Sequence, residues 1–196
     1  MKILFAVLAY LFGSIPSGYL FFYFTEKKDI RDFGSGNTGA TNVLRLKGWK
    51  LALPVLVIDL LKGALPVFLA LMLFPQKNFA VVCAFLAVLG HCYPIYIRFV
   101  GGKGIATTFG AFSVLAFLPF LFSLAVFFSV IGISRYVSLG SILSVLSFPL
   151  FIFLFKGKTE VIGLGFILFF LILWRHRENI KRILKGQERR IGERPQ

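Results

Sequence analysis

Long apolar runs, separated by short polar and basic stretches, dominate the chain. They cover residues 3–24, 51–74, 79–99, 105–134, 139–155 and 161–174. A hydrocarbon core about 30 Å thick is crossed by roughly 20 helical residues at about 1.5 Å each, so every run predicts a spanning helix, the last a short one. The run 105–134 exceeds one crossing and carries Pro119 near its middle, which predicts a break into two shorter helices. The expected fold is therefore an all-α integral membrane protein. It is a compact bundle of about seven transmembrane helices, one domain over 1–196, with a basic interfacial tail at 175–196.

Composition supports lipid as the solvent. An apolar fraction of 58% and a mean hydropathy of +0.85 in 196 residues exceed what a soluble core of this size hides. The net charge of +14 would suit a nucleic-acid binder. Such a protein, however, does not set its aromatics in 20-residue apolar runs, so no nucleic acid is expected. The loop 25–50 holds six Lys/Arg and the segment after Trp174 holds eight. The positive-inside tendency puts both on the cytoplasmic face, which an odd number of crossings allows if the N-terminus lies outside. The chemistry is expected at the cytoplasmic side of the membrane. Lys2 and the first run read as a retained span rather than a cleaved signal. Cys83 and Cys92 have no metal spacing and read as small buried hydrophobes.

Three polar segments interrupt this pattern. The first runs from Asp29 to Arg45 and is dense in glycine and hydroxyl groups. Gly34, Gly36 and Gly39 suit turns that approach a ligand closely. Ser35, Asn37, Thr38, Thr41, Asn42 and Arg45 supply more hydrogen-bonding capacity than a linker needs, which points to a phosphate cradle. The second is Gly101-Gly102-Lys103-Gly104, followed by Thr107-Thr108. Backbone donors, a flexible ammonium and a new helix N-terminus make a generic phosphate site. The third is a helix on which His176, Asn179 and Arg182 share a face. Two readings stand for it: an anion-binding face that orients a hydroxyl, or a basic helix end seated among headgroups.

Within the apolar runs, Asp59 and Lys62 lie three apart and predict an ion pair, structural or substrate-positioning. The segment Gly13-Ser-Ile-Pro-Ser-Gly18 offers small-x-x-x-small registers for close helix packing. Ser14 is expected to face the site if Pro16 bends the chain, and His91 reads as a structural histidine. Equally informative is what the sequence lacks. Neither histidine has an aspartate five residues on, because Tyr96 follows His91 and Lys181 follows His176. No GxSxG elbow, H-E-x-x-H or magnesium-binding carboxylate cluster is present, so neither a metal nor another cofactor is expected.

Taken in order, Gly13–Gly18, Asp32-Phe-Gly-Ser-Gly-Asn-Thr-Gly-Ala-Thr-Asn-Val43, Asp59–Lys62, Gly90-His91, Gly101–Gly104 and His176–Asn179 resemble the bacterial acyl-phosphate-dependent glycerol-3-phosphate acyltransferases. The resemblance covers nearly the whole chain. It implies an inner-membrane enzyme that makes lysophosphatidic acid from acyl phosphate and glycerol 3-phosphate, working with membrane lipid and expected to be a monomer. It also implies catalytic roles for Ser35, Arg45, Lys103, His176 and Asn179. Phosphate or substrate contacts are expected from Ser14, Gly34, Gly36, Asn37, Thr41, Asn42, Gly101, Gly102 and Gly104. With no convincing carboxylate base, the donor's own phosphate is the expected proton acceptor and His176 its rival. The competing reading is a small transporter of a phosphorylated metabolite, for which broken helices and midplane charges would be the signs.

Overall fold

The computed structural model describes residues 1–76 and 78–193. Residues 194–196 of the expected basic tail, and Lys77, lie outside them. The described residues are all-helical, as expected: α1 (Lys2–Gly13), α2 (Ser17–Glu26), α3 (Ala40–Lys47), α4 (Trp49–Leu73), α5 (Asn78–Cys92), α6 (Ile105–Leu115), α7 (Phe117–Ser134), α8 (Val137–Leu154), α9 (Thr159–Arg175) and α10 (Arg177–Leu184). The count of seven crossings proves approximate. By length and composition five segments among the described residues can cross a membrane: Lys2–Glu26, Trp49–Leu73, Asn78–Ile97, Phe117–Ser134 and Val137–Leu154. A sixth counts if α9 and α10, bent by 61°, are taken together. The seventh apolar helix, α6, has 11 residues and at about 16 Å is too short to cross alone.

The expected break in the long run 105–134 is present, but it falls at Ala116 rather than at Pro119. Ala116 leaves helical geometry (φ −154°, ψ 74°), and α7 begins at the next residue. Pro119 then sits in the first turn of α7, where a missing N–H costs nothing. The proline starts a helix here instead of ending one.

The chain divides into two compact units, Met1–Ala111 and Phe112–Glu193. In the first, α1 packs on α5 and α4, and α4 on α5 and α3. Contact between α1 and α5 is backbone-close. A Cβ on Gly13 would overlap the Ala87 carbonyl, and one on Gly90 would overlap that of Tyr10. This is small-residue packing of the kind that lets helices associate without a hydrophobic driving force. Gly63 of α4 meets Thr107 of α6 in the same way. The polar segment 27–48 is anchored by grease: Ile30 and Val43 are fully buried in a cluster with Phe22, Ala52 and Val55.

In the second unit α8 lies between α7 and α9. The Phe112 and Phe148 rings stack with centroids 4.2 Å apart, and Ser147 donates to Ser123 Oγ at 2.9 Å. Large apolar side chains such as Phe128, Ile133 and Phe170 are exposed, as lipid-facing residues are.

The segment after α10 is held by one buried carboxylate. Glu188 Oε1 accepts from Asn179 Nδ2 (2.7 Å) and Ser138 Oγ (2.9 Å), and Oε2 from Arg182 Nε (2.9 Å). Burial alone would raise its pKa. The bonds from Asn179, Arg182 and Ser138, with the charge of Arg182, bring it net below the ordinary 4.5. Beyond it, Ile191 N donates to the Arg135 carbonyl at 2.8 Å and Arg190 lies over the Tyr136 ring.

Glu188→Gln removes the charge and turns one acceptor into a donor, so it should cost about 1–3 kcal/mol, read as a lower Tm in detergent. A folded pKa below the unfolded one places the carboxylate's stabilisation above about pH 4.5 and removes it as the pH falls through the lower folded value. The Tm gap between wild type and variant should therefore narrow on acidification.

Candidate active site

The site residues of the first unit sit on two loops and the helix ends beside them. The first loop leaves α2, forms a 3-10 turn at Ile30–Asp32 and enters α3 at Gly39. Gly34 takes φ +64°, and a Cβ there would also overlap Asn42 Oδ1, so both backbone and space require glycine. Asn42 is the loop's internal brace. Its Oδ1 accepts from Ser35 N at 2.9 Å, and its Nδ2 donates to the carbonyls of Phe33 (3.1 Å) and Asn37 (2.9 Å). Both amide hydrogens are thus spent inside the loop. Asn42, expected among the phosphate contacts, fixes the backbone that carries Ser35. Asn37 Oδ1 is likewise engaged, accepting from Gly39 N at 3.0 Å. Ser35 is half-buried, and no described residue bonds its hydroxyl. Thr41 is exposed, and Arg45 lies half-buried in the last turn of α3.

Arg31 ties this loop to the second. Its Nε and Nη2 bind both oxygens of Asp29 (3.0, 3.0 and 2.6 Å), its Nη1 donates to the Ile97 carbonyl at 3.0 Å, and its guanidinium lies 5.6 Å from the Tyr19 ring centroid. Hydrogen bonding from Arg31 holds the Asp29 carboxyl below its ordinary 3.8. Ile97 closes the 3-10 turn Ile95–Ile97. Arg98 and Phe99 follow, both left-handed (φ 59° and 62°), a conformation that costs non-glycine residues about 1–2 kcal/mol each. The turn delivers the chain into Gly101–Gly104.

Gly101, Gly102 and Gly104 are buried and Lys103 is half-buried. Gly102 N donates to the His91 carbonyl at 3.0 Å. A Cβ on Gly101 would overlap Pro94 and that carbonyl, and one on Gly102 would overlap the His91 imidazole. In the first turns of α6 the Thr107 and Thr108 hydroxyls are fully buried with no partner among the described residues. Groups so placed are either a liability or a reserve of hydrogen bonds for a ligand.

Behind this loop lies a buried polar cluster. Asp59 and Lys62 pair as expected, Nζ to Oδ1 at 2.6 Å, each 1% exposed. Ser17 Oγ donates to the same oxygen at 2.5 Å and accepts from Lys62 Nζ at 2.9 Å, while His91 Nδ1 stands 3.6 Å from it. Ser14 lies elsewhere, fully buried, its hydroxyl donating to the Tyr10 carbonyl at 2.8 Å where α1 meets α5. Ser17, three residues on, is the serine that joins the charged groups.

In the second unit His176 and Asn179 are brought together at the bend between α9 and α10. Both are buried, at 2% and 4% exposure. His176 Nδ1 lies 2.9 Å from the Ile172 carbonyl. A carbonyl only accepts, so Nδ1 carries a proton and Nε2 is the acceptor of the neutral ring. Glu188 orients the Asn179 amide by taking its NH2, and Arg182 shares the same carboxylate. The face predicted for residues 176, 179 and 182 is real, and its organiser is an acid that sequence reasoning passed over. The only available signal was its rarity: it is one of eight acids, set in an arginine-rich segment. Ser17 and Arg31 were missed too, because both stand within motifs read for other purposes. Among the described residues no three of His, Cys, Asp and Glu gather as a metal site requires.

Comparison with known proteins points one way. The family model described as "Glycerol-3-phosphate acyltransferase" matches residues 3–186. Glycerol-3-phosphate acyltransferase of Endomicrobium trichonymphae is 43% identical over 191 residues, 97% of this chain and 96% of that protein. The protein of the same name from Thermoanaerobacter sp. (strain X514) is 41% identical with the same coverage. The crystal structure of PlsY (YgiH), an integral membrane glycerol 3-phosphate acyltransferase, in its glycerol 3-phosphate form, superposes with a TM-score of 0.93 at 38% identity. The match covers 97% of this chain and 96% of that one. Its lysophosphatidic acid form superposes with a TM-score of 0.88 at 36% identity, over 97% and 95% of the two chains. These relatives are acyltransferases and lend nothing to the transporter reading. On identity, coverage and fold, the chain belongs to the glycerol-3-phosphate acyltransferase family.

Proposed function

We propose that this chain transfers a fatty acyl group from acyl phosphate to the 1-hydroxyl of glycerol 3-phosphate, releasing lysophosphatidic acid and phosphate. One observation carries the reading. The solved relative is known in a glycerol 3-phosphate form and a lysophosphatidic acid form, which differ chemically by one acyl ester. They are an acceptor and its acylated product. Two loops with anion-binding character in the first unit suit a reaction in which donor and acceptor each carry a phosphate.

The hydroxyl oxygen of glycerol 3-phosphate attacks the acyl carbonyl carbon. The new ester C–O bond forms, the bond from that carbon to the phosphate oxygen breaks, and phosphate leaves with the electron pair. The acyl phosphate is already activated, so alignment supplies much of the rate, on the order of 7–11 kcal/mol in favourable cases. Arg45 and Lys103 neutralise phosphate charge. The Ser35 hydroxyl, the Asn37 and Thr41 side chains and the backbone amides of Gly34, Gly101 and Gly104 bind phosphate oxygens, whereas Gly36 N and Gly102 N, expected among these donors, are spent on the Phe33 and His91 carbonyls and shape their loops instead. His176 and Asn179 orient the acceptor's hydroxyls through Nε2 and the amide. The proton passes to the donor's own phosphate. His176 Nδ1 is tethered to the Ile172 carbonyl, which fixes the ring and leaves Nε2 to meet a hydroxyl.

The enzyme works as a monomer in the cytoplasmic membrane, its loops 25–50 and 99–104 facing the cytoplasm and its N-terminus outside. The six Lys/Arg of the loop 25–50, Lys103 and the eight Lys/Arg after Trp174 support this orientation.

Purified protein given palmitoyl phosphate and labelled glycerol 3-phosphate should form lysophosphatidic acid equally with and without EDTA; absence of product would sink the assignment. Lys103→Ala should raise KM for a phosphate substrate about tenfold or more, and unchanged kinetics would remove its role. In the same assay His176→Gln should weaken glycerol 3-phosphate binding, whereas a lost kcat at unchanged affinity would make His176 the base. Cysteines introduced near the two ends of the chain should label from opposite sides of the membrane, and labelling from one side would exclude an odd number of crossings.

A further inference from the structure

His91 lies outside every role assigned so far, yet it joins the buried charge cluster to the glycine-rich loop. On one side its Nδ1 stands 3.6 Å from Asp59 Oδ1, an oxygen that also receives Ser17 Oγ and Lys62 Nζ. On the other side its ring lies so close to Gly102 that a single methyl group there would overlap Nε2, Cε1 and Cδ2. Its backbone carbonyl accepts from Gly102 N and crowds Gly101. The residue therefore holds the loop twice, by main chain and by ring, one residue before Lys103.

The cluster behind it is anchored on three helices. Ser17 opens α2, Asp59 and Lys62 lie within α4, and His91 stands near the end of α5. Asp59, Lys62 and Ser17 are each no more than 3% exposed. A buried ion pair of this kind is weak evidence for stability, because desolvation offsets the attraction, but it fixes its members in one geometry. What it fixes here is the imidazole against which the loop is laid.

We propose that His91 is a positioning residue. Held by the Asp59–Lys62–Ser17 cluster, its ring sets the path of Gly101–Gly102 and hence the reach of the Lys103 ammonium and the loop amides toward a substrate phosphate. The proposal rests on the acyltransferase reading above and adds a residue that touches no substrate. It also explains why a glycine without positive φ is needed at 102: the ring occupies the space that any side chain would take.

The test uses the full chain in detergent with palmitoyl phosphate and glycerol 3-phosphate, comparing wild type with His91→Ala, His91→Asn, Gly102→Ala and the double variant His91→Ala/Gly102→Ala. Both His91 variants should raise KM for one phosphate substrate about tenfold while kcat stays within about threefold. Gly102→Ala should raise KM for the same substrate. In the double variant the methyl group added at position 102 enters the space left by the ring, so its defect should not exceed that of the worse single variant. A KM within about twofold of wild type in the folded His91 variants, or defects that multiply in the double, would overturn the proposal. If both His91 variants aggregate, the ring holds the fold rather than the loop, and the proposal also falls. A second readout is independent of turnover. Inorganic phosphate should raise the Tm of wild type and not that of folded His91→Ala; equal shifts overturn the proposal. A wild type that makes no lysophosphatidic acid but is stabilised by phosphate counts against the acyltransferase reading alone. One that shows neither overturns both.

Discussion

An ionised carboxylate placed among apolar helices has no water to solvate it, and the groups that replace water must come from the protein. Asp59 meets this requirement with a lysine one helical turn away, the serine that opens α2 and the histidine near the end of α5. Satisfying one charge thus gathers three helices at a single point. The glycine-rich loop is built against one member of that group. In the first unit, the arrangement of the glycine-rich backbone follows from the need to accommodate a charge that lipid will not accept.

The polar segment before α3 solves the converse problem. A stretch rich in glycine, serine and asparagine has little driving force of its own to adopt one shape. It takes its shape from two buried apolar residues, Ile30 and Val43, and from the saturated side chain of Asn42. Arg31 extends this order to the next loop through the Ile97 carbonyl. The groups with chemical capacity, Ser35 and Arg45, are therefore carried on backbone whose position is decided by other residues.

Periodicity and composition made most of this architecture legible. Apolar runs became helices, the overlong run broke, Asp59 met Lys62, and residues 176, 179 and 182 shared a face. The break at Ala116 was shifted because a proline suits the first turn of a helix, a preference that a simple breaker rule reverses. What stayed hidden was the choice of partner. Asn42 has the same donors and acceptor whether it grips a phosphate or its own loop, and only the folded backbone decides. Ser17, Asp59 and His91 are 32 or more residues apart, and Glu188 reaches Ser138 across 50. Contacts of that span leave no local pattern, because the residues involved need only be polar and correctly placed in space.

On the phosphate-binding role proposed for the first loop, its greasy anchoring governs the thermodynamics of substrate capture. Ordering a glycine-rich segment of this length costs about 1–2 kcal/mol of backbone entropy per residue. With Ile30 and Val43 in the core and Asn42 bonded three ways, that loss is incurred when the protein folds rather than when a substrate arrives. The competent conformation is then the populated one, and affinity is not diminished by a rare-state fraction. For a substrate recognised chiefly through a small, strongly hydrated anion, whose desolvation already opposes binding, a receptor that is rigid beforehand is the arrangement that leaves the most affinity.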